Sequence, residues 1–246
     1  MVLTDVAMVA ADTSRSRAYA QALERAALLP SFVLMLENKA ADLLPGQIGS
    51  SAPAAAWIDT AWDDVRFDPG LPVKTVLERN GIAHELSPVG DINDPGVVAA
   101  IAGRAEPVFI YSGFGGVLLR SSILGTGKRF LHAHGGYLPD YKGSTTNYFS
   151  MLAENIFGAS SLFLGAEIDS GPVLVRRKFD PPRDPRQIDH LYDSAARARV
   201  LIETLRRHVE TGSWQFELPE NAGGETYYII HPLLKHIAIL GSERGR

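Results

Sequence analysis

The feature that most narrows the fold is a repeated change of hydrophobic period along the chain. Val6 to Ala11 is an unbroken apolar run, the pattern of a strand covered on both faces. Asp12-Thr13-Ser14 then offers side-chain oxygens suited to capping a helix. Arg15 to Leu29 places Ala, Leu and Tyr at helical spacing, and Pro30 ends it. Phe32 to Leu36 is a second short apolar run. Strand, helix, strand in that order calls for crossover connections, so the expected class is α/β with a mostly parallel sheet flanked by helices. The alternation continues. Val73 to Asn80 is helical and stops at Asn80-Gly81, and Ile82 to Leu86 is strand-like. Asp94-Pro95 opens a helix to about Arg104 by the cap-then-proline signature. Val108 to Tyr111 and Phe130 to His134 read as strands, as do Ser160 to Ala166 and Val173 to Phe179. Pro185 to Thr211 reads as one long amphipathic helix. Residues 40–71 carry no clear period, and Trp57 and Trp62 within them are read as packing residues.

Composition sets the outer limits. A chain of 246 residues, 46% hydrophobic, can bury a sizeable core. We expect a catalytic domain over residues 1–182 and a C-terminal helix and tail, residues 183–246, packed on it. The strongly apolar tail from Tyr227 to Leu240 is expected to dock. A net charge of −4 gives no basic footprint and argues against bulk nucleic-acid binding. The absence of cysteine excludes disulfides, thiolate catalysis and cysteine-ligated zinc, and fits a cytoplasmic protein. No signal peptide and no apolar run of about 18 residues is present, so no membrane span is expected.

Residues able to carry chemistry gather between Phe130 and Phe179. The chain there reads His132-Ala-His134-Gly-Gly-Tyr137-Leu-Pro139-Asp-Tyr-Lys142-Gly143-Ser144-Thr145-Thr146-Asn147, and later Asp169-Ser-Gly171-Pro172. On a strand, positions i and i+2 point the same way, so both imidazoles face one side. A lone core histidine is more often structural. Two on one face at a strand end, followed by glycines, point to acid–base catalysis or metal binding. Asp169 opens an Asp-x-Gly turn, where an aspartate commonly bonds only its own backbone; beside a histidine pair it becomes a candidate partner. Ser112-Gly113-Phe114-Gly115-Gly116 suits a ligand approaching the backbone. It lacks the spacing and the position of a dinucleotide fingerprint. Ser144, Thr145, Thr146 and Asn147 could cap a helix or bond a polar substrate. His231 and His236 are expected on a packing or solvent surface.

As a set, these motifs resemble the folate-dependent formyltransferase family, which includes glycinamide ribonucleotide, methionyl-tRNA and sugar N-formyltransferases. The family signature is Asn-x-His at a strand end, Leu-Pro, a basic residue–Gly pair, and Asp-x-Gly further on. Here stand His132-Ala133-His134, Leu138-Pro139, Lys142-Gly143 and Asp169-Ser170-Gly171, in matching order across residues 105–180. The resemblance implies a Rossmann-like sheet with a short helical and extended C-terminal appendage. It also implies 10-formyltetrahydrofolate as co-substrate, no metal, and formyl transfer to the amine of a small molecule. His132, His134 and Asp169 would be catalytic, with His134 donating to the oxyanion and Asp169 favouring its imidazolium form. By position, Ser112, Gly113, Phe114, Val117 and Leu118 would line the pterin slot, and Glu167 lies in the loop that would close it. Tyr137, Lys142, Ser144, Thr145 and Asn147 would face the acceptor. The chain departs from the family twice. His132 replaces the asparagine, and Gly135-Gly136 stand where many relatives carry bulkier residues or proline, which would leave room beside the site.

The length leaves no space for the C-terminal barrel of tRNA-acting relatives. With the acidic balance, that points to an amino sugar nucleotide or an amino-acid-like biosynthetic intermediate as acceptor, and a homodimer is compatible. Three other readings stay open. They are a metal-dependent hydrolase built on His132, His134 and Asp169, a formyltetrahydrofolate hydrolase, and a folate-binding relative without catalysis.

Overall fold

The computed structural model describes residues 1–37 and 66–244; Trp57 and Trp62 lie outside the described residues. The chain forms two compact units, divided within one strand between His132 and Ala133.

The first unit contains β1 (Val2–Leu3), β2 (Val6–Ala11), α1 (Ser14–Arg25), β3 (Leu29–Pro30), β4 (Phe32–Leu36), α2 (Val73–Arg79), β5 (Ala83–Leu86), α3 (Pro95–Ala102), β6 (Val108–Ser112), α4 (Ser121–Leu124) and most of β7 (Arg129–His134). Five strands run parallel in the order β7-β6-β2-β4-β5. Every residue of β2, β4 and β6 is buried, as their uninterrupted apolar runs require. This is the mostly parallel sheet with flanking helices that the alternation of periods predicts.

Helix α1 starts where Thr13 accepts a hydrogen bond from the Ser16 amide. It ends earlier than the spacing suggests. Ala27 turns into the left-handed region at φ 53°, and the Ala27 and Leu28 amides bond back to Glu24 and Leu23. That is a Schellman ending. Pro30 disfavours a helical Leu29, so Leu29–Pro30 extend and pair with β1. Gly81, at φ 65°, closes α2 in the same way. Asp94 caps α3 through the Gly96 amide at 2.8 Å.

The second unit holds the last two residues of β7, then β8 (Tyr141–Gly143), α5 (Thr146–Glu154), β9 (Phe157–Phe163), β10 (Val173–Phe179), α6 (Asp193–Thr211), β11 (Glu225–Tyr227) and α7 (Pro232–Arg244). β9 and β10 pair antiparallel, with α6 packed on both. β11 pairs parallel with β8. The strand expected at 160–166 sits three residues earlier. Fully buried Phe157 anchors its start, and the chain beyond Leu164 emerges to solvent. The helix expected over 185–211 is three pieces, a 3₁₀ turn at Pro185–Gln187, a π turn at Ile188–Tyr192, and α6. The tail forms α7, but its apolar content overstates its burial: Ile230 and Ala238 are buried, whereas Tyr228, Ile229, Leu233 and Ile237 are exposed. Among the described residues, no helix is long and apolar enough to cross a membrane.

Candidate active site

His134 ends β7 and is 3% exposed. Its Nε2 lies 2.7 Å from the Tyr141 carbonyl, and its Nδ1 lies 3.3 Å from Asp169 Oδ2. Both neighbouring atoms are oxygens able to accept from an imidazole N–H. Asp169 is 8% exposed, and the same Oδ2 accepts the Gly143 amide at 2.9 Å. The aspartate sits in the left-handed region at φ 48°. That conformation is uncommon outside glycine, although aspartate tolerates it better than most residues. The Asp169 turn therefore does more than bond its own backbone.

The two glycines after His134 leave no room for a side chain of their own. A Cβ at Gly136 would fall 2.5 Å from His134 Nε2 and 2.6 Å from the Tyr141 carbonyl, crowding the hydrogen bond between them. At Gly135 it would overlap Asp193 and Arg197, an ion pair that closes at 2.6 Å. The space left by bulkier residues is filled by the protein's own polar groups.

The other residues assigned to this stretch are engaged within the second unit. Lys142 is buried, its Nζ on the Asn221 carbonyl at 3.1 Å. The ring of Tyr137 lies under Arg176 and Lys178, 4.9 and 4.8 Å from its centre. The Ser144 amide bonds the Tyr227 carbonyl at 2.8 Å. Thr145 precedes α5 at φ 52° without a capping side-chain bond; its hydroxyl accepts the Ile230 amide at 2.9 Å. Asn147 is buried, accepting from the Gly158 amide at 2.7 Å and donating to Asp193 at 3.3 Å. Thr145 and Asn147 also line a cavity of about 100 Å³ with Gly135, Tyr148, Asp189 and Asp193. Glu167 is exposed, its carbonyl accepting from Ser170 at 3.1 Å.

In the first unit, the Ser112 hydroxyl lies 2.7 Å from that of Ser16 and accepts from Arg15 at 3.3 Å. Arg15 also bonds the Gly113 carbonyl. Phe114 is buried, Val117 partly so, and Leu118 exposed. His132 is half-buried; its Nδ1 lies 3.4 Å from the Tyr111 carbonyl, and its ring is 6.1 Å from that of Tyr111. The Tyr111 hydroxyl is buried without a hydrogen-bond partner, and burial pushes its pKa up to about 12. The three-ligand metal set does not assemble: among the described residues, no group of three or more His, Asp or Glu side chains could hold a metal ion.

Sequence reasoning missed two contributors. The Tyr141 carbonyl carries no residue signature. Asn221 opens Asn221-Ala-Gly-Gly224, which reads as an ordinary turn, yet its amide donates to the carbonyls of Asp169 at 2.6 Å and Gly171 at 3.1 Å.

No family model matches the chain. It is 28% identical over 168 residues to a methionyl-tRNA formyltransferase of Synechococcus sp., which covers 67% of this chain and 50% of that protein. It is 30% identical over 149 residues to the corresponding protein of Chloroflexus aggregans, covering 59% and 47%. The chain thus spans about half the length of the curated relatives it matches. Its fold matches glycinamide ribonucleotide transformylase 1 from Symbiobacterium toebii with a TM-score of 0.57 at 14% identity, covering 89% of this chain and 95% of that one. It matches a sugar N-formyltransferase from Shewanella sp. with a TM-score of 0.57 at 13% identity, covering 96% and 87%. In sequence the chain is thus similar to methionyl-tRNA formyltransferases over about half of their length, and in fold it is similar to a glycinamide ribonucleotide transformylase and a sugar N-formyltransferase.

Proposed function

We propose that this protein transfers a formyl group from 10-formyltetrahydrofolate to the amine of a small molecule, an amino sugar nucleotide or an amino-acid-like biosynthetic intermediate. One observation carries the reading: Asp169 Oδ2 accepts the Gly143 amide at 2.9 Å and lies at ion-pair distance, 3.3 Å, from His134 Nδ1. Three segments separated in sequence thereby act at one carboxylate oxygen.

The folate supplies an activated formyl group, and the chain's residues do the rest. As the amine nitrogen attacks the formyl carbon, negative charge builds on the formyl oxygen. A donor placed for that charge lowers the barrier. The N–H at His134 Nε2 is that donor, leaving the neutral Tyr141 carbonyl for the stronger, charged acceptor. Asp169 holds the opposite nitrogen and fixes the ring's orientation. His132, two positions earlier on β7, takes the proton that the amine loses. The bond from the formyl carbon to the folate nitrogen then breaks, and that nitrogen is protonated. Ser112, Gly113, Phe114, Val117, Leu118 and Glu167 are assigned to the folate. Thr145 and Asn147 are assigned to the acceptor, with Tyr137, Lys142 and Ser144 as the frame around it.

Calorimetric titration with 5-formyltetrahydrofolate, a stable analogue, tests the reading first. Micromolar binding is expected, followed by formyl transfer in a screen of small amines. Folded protein that binds no folate would overturn it.

A further inference from the structure

We propose that Asn221 is a positioning residue of this site, holding Asp169 in place against His134. The carboxylate faces the imidazole from a backbone at φ 48°, and a conformation of that kind persists where its surroundings over-determine it. Two constraints act on it. The Gly143 amide fixes the side chain by bonding Oδ2 at 2.9 Å. Asn221 fixes the backbone: its Nδ2 donates to the carbonyl of Asp169 at 2.6 Å and to that of Gly171 at 3.1 Å, gripping the turn on both sides of Ser170.

The choice of residue follows from this geometry. The two partners are carbonyls, so the side chain must present two N–H hydrogens at short reach. Aspartate offers none, and serine or threonine offers one. Asparagine does so at a cost, since its Oδ1 is buried without a hydrogen-bond partner. A buried unsatisfied acceptor is unfavourable, and it is tolerated here for the sake of the two donors. The residue is itself anchored. It is 6% exposed, and its own carbonyl takes the Lys142 ammonium at 3.1 Å. Lys142, Asn221 and Asp169 thus form a relay from the Lys142-Gly143 segment to the turn. Lys142 acts in it as a strut rather than as a group free to meet substrate.

As a role in formyl transfer, this inference rests on the function proposed above; as a statement about the histidine–aspartate geometry, it does not. The test is Asn221→Asp, which keeps the shape and removes both donors, alongside Asn221→Ala. In the full chain without substrate, the imidazole N–H proton resonance of His134 is identified by its loss in His134→Asn. Both variants are expected to fold and to move that resonance in the direction seen in Asp169→Asn. With the amine found in the screen, kcat should fall tenfold or more while KM stays within twofold. On an Asp169→Asn background, the Asn221 changes should add nothing. An unmoved resonance with unchanged kcat would overturn the proposal. So would loss of folding in both variants, because the residue would then serve the fold and not the carboxylate. A moved resonance with no formyl transfer by any version, the parent included, would leave the positioning role standing and sink the assigned reaction.

Discussion

An imidazole has two nitrogens, and each of those on His134 already faces an acceptor, the Tyr141 carbonyl at 2.7 Å and Asp169 at 3.3 Å. The ring is therefore oriented before any substrate arrives, which is the condition under which a donor is worth most to a developing charge. His134→Ala and Asp169→Ala are each expected to lower formyl-transfer turnover by at least about a hundredfold, the scale of losing one preorganised donor. Steady-state kinetics with the folate donor measures this, and a near-normal rate in either variant contradicts the assignment. These two residues were legible because a short local pattern carries them, a histidine at a strand end and an aspartate opening a glycine turn. The groups that orient them were not. A backbone carbonyl leaves no trace in a sequence, and Asn221 lies 52 positions from the aspartate it bonds. Gly135 and Gly136 were visible, but whether the vacated space is open or filled depends on neighbours that only the fold supplies.

Among the elements, the short parallel pair β8–β11 does the most to frame the site. β11 brings the Tyr227 carbonyl to the Ser144 amide at 2.8 Å and stacks the Tyr227 ring 5.5 Å from that of Tyr141. It can come this close because Gly224, at φ 74°, has no side chain; a Cβ there would lie inside van der Waals contact of the Pro139 carbonyl. Gly224→Ala is expected to destabilise the protein by about 2 kcal/mol or more, from the left-handed backbone and the clash together. Urea unfolding checks it, and a change within about 0.5 kcal/mol would mean that β11 does not depend on this contact. Elements of this kind escape sequence reading for a physical reason. Three residues are too few to show a period of two, so neither β8 nor β11 was anticipated. The break of the 185–211 helix was hidden similarly, since 3₁₀, π and α periods coincide over one or two turns. The longer strands and capped helices were legible because burial on both faces and cap chemistry act within each segment.

For the molecule as a whole, one ion pair on a buried carboxylate in the first unit sets a response to acid. Glu106 is buried and receives Arg104 on both oxygens, at 2.7 and 3.0 Å, and Ser31 at 2.6 Å. The Arg104 guanidinium, helped by Ser31, holds this carboxyl down to about 2. A carboxylate lowered on folding contributes fully above its unfolded value, here 4.5, and its contribution is lost as pH falls through about 2. Glu106→Gln should therefore cost on the order of 2 kcal/mol near neutral pH, with the gap to the parent narrowing below about pH 4.5. Denaturant unfolding near neutrality and at about pH 3 measures this, and a gap of equal size at both would contradict it. At this scale the fold class could be read from the sequence, because alternating periods are repeated over many elements. The division of the chain within β7 could not, since no break in composition marks it. The pairing of β8 with β11 also bears on synthesis. A ribosome that has finished β10 has made the histidines, the Lys142-Gly143 pair and the aspartate turn, yet neither Asn221 nor β11 has been translated. The nascent chain thus carries His134 and Asp169 well before it has Asn221 and β11, and the arrangement around the aspartate turn waits for that later segment.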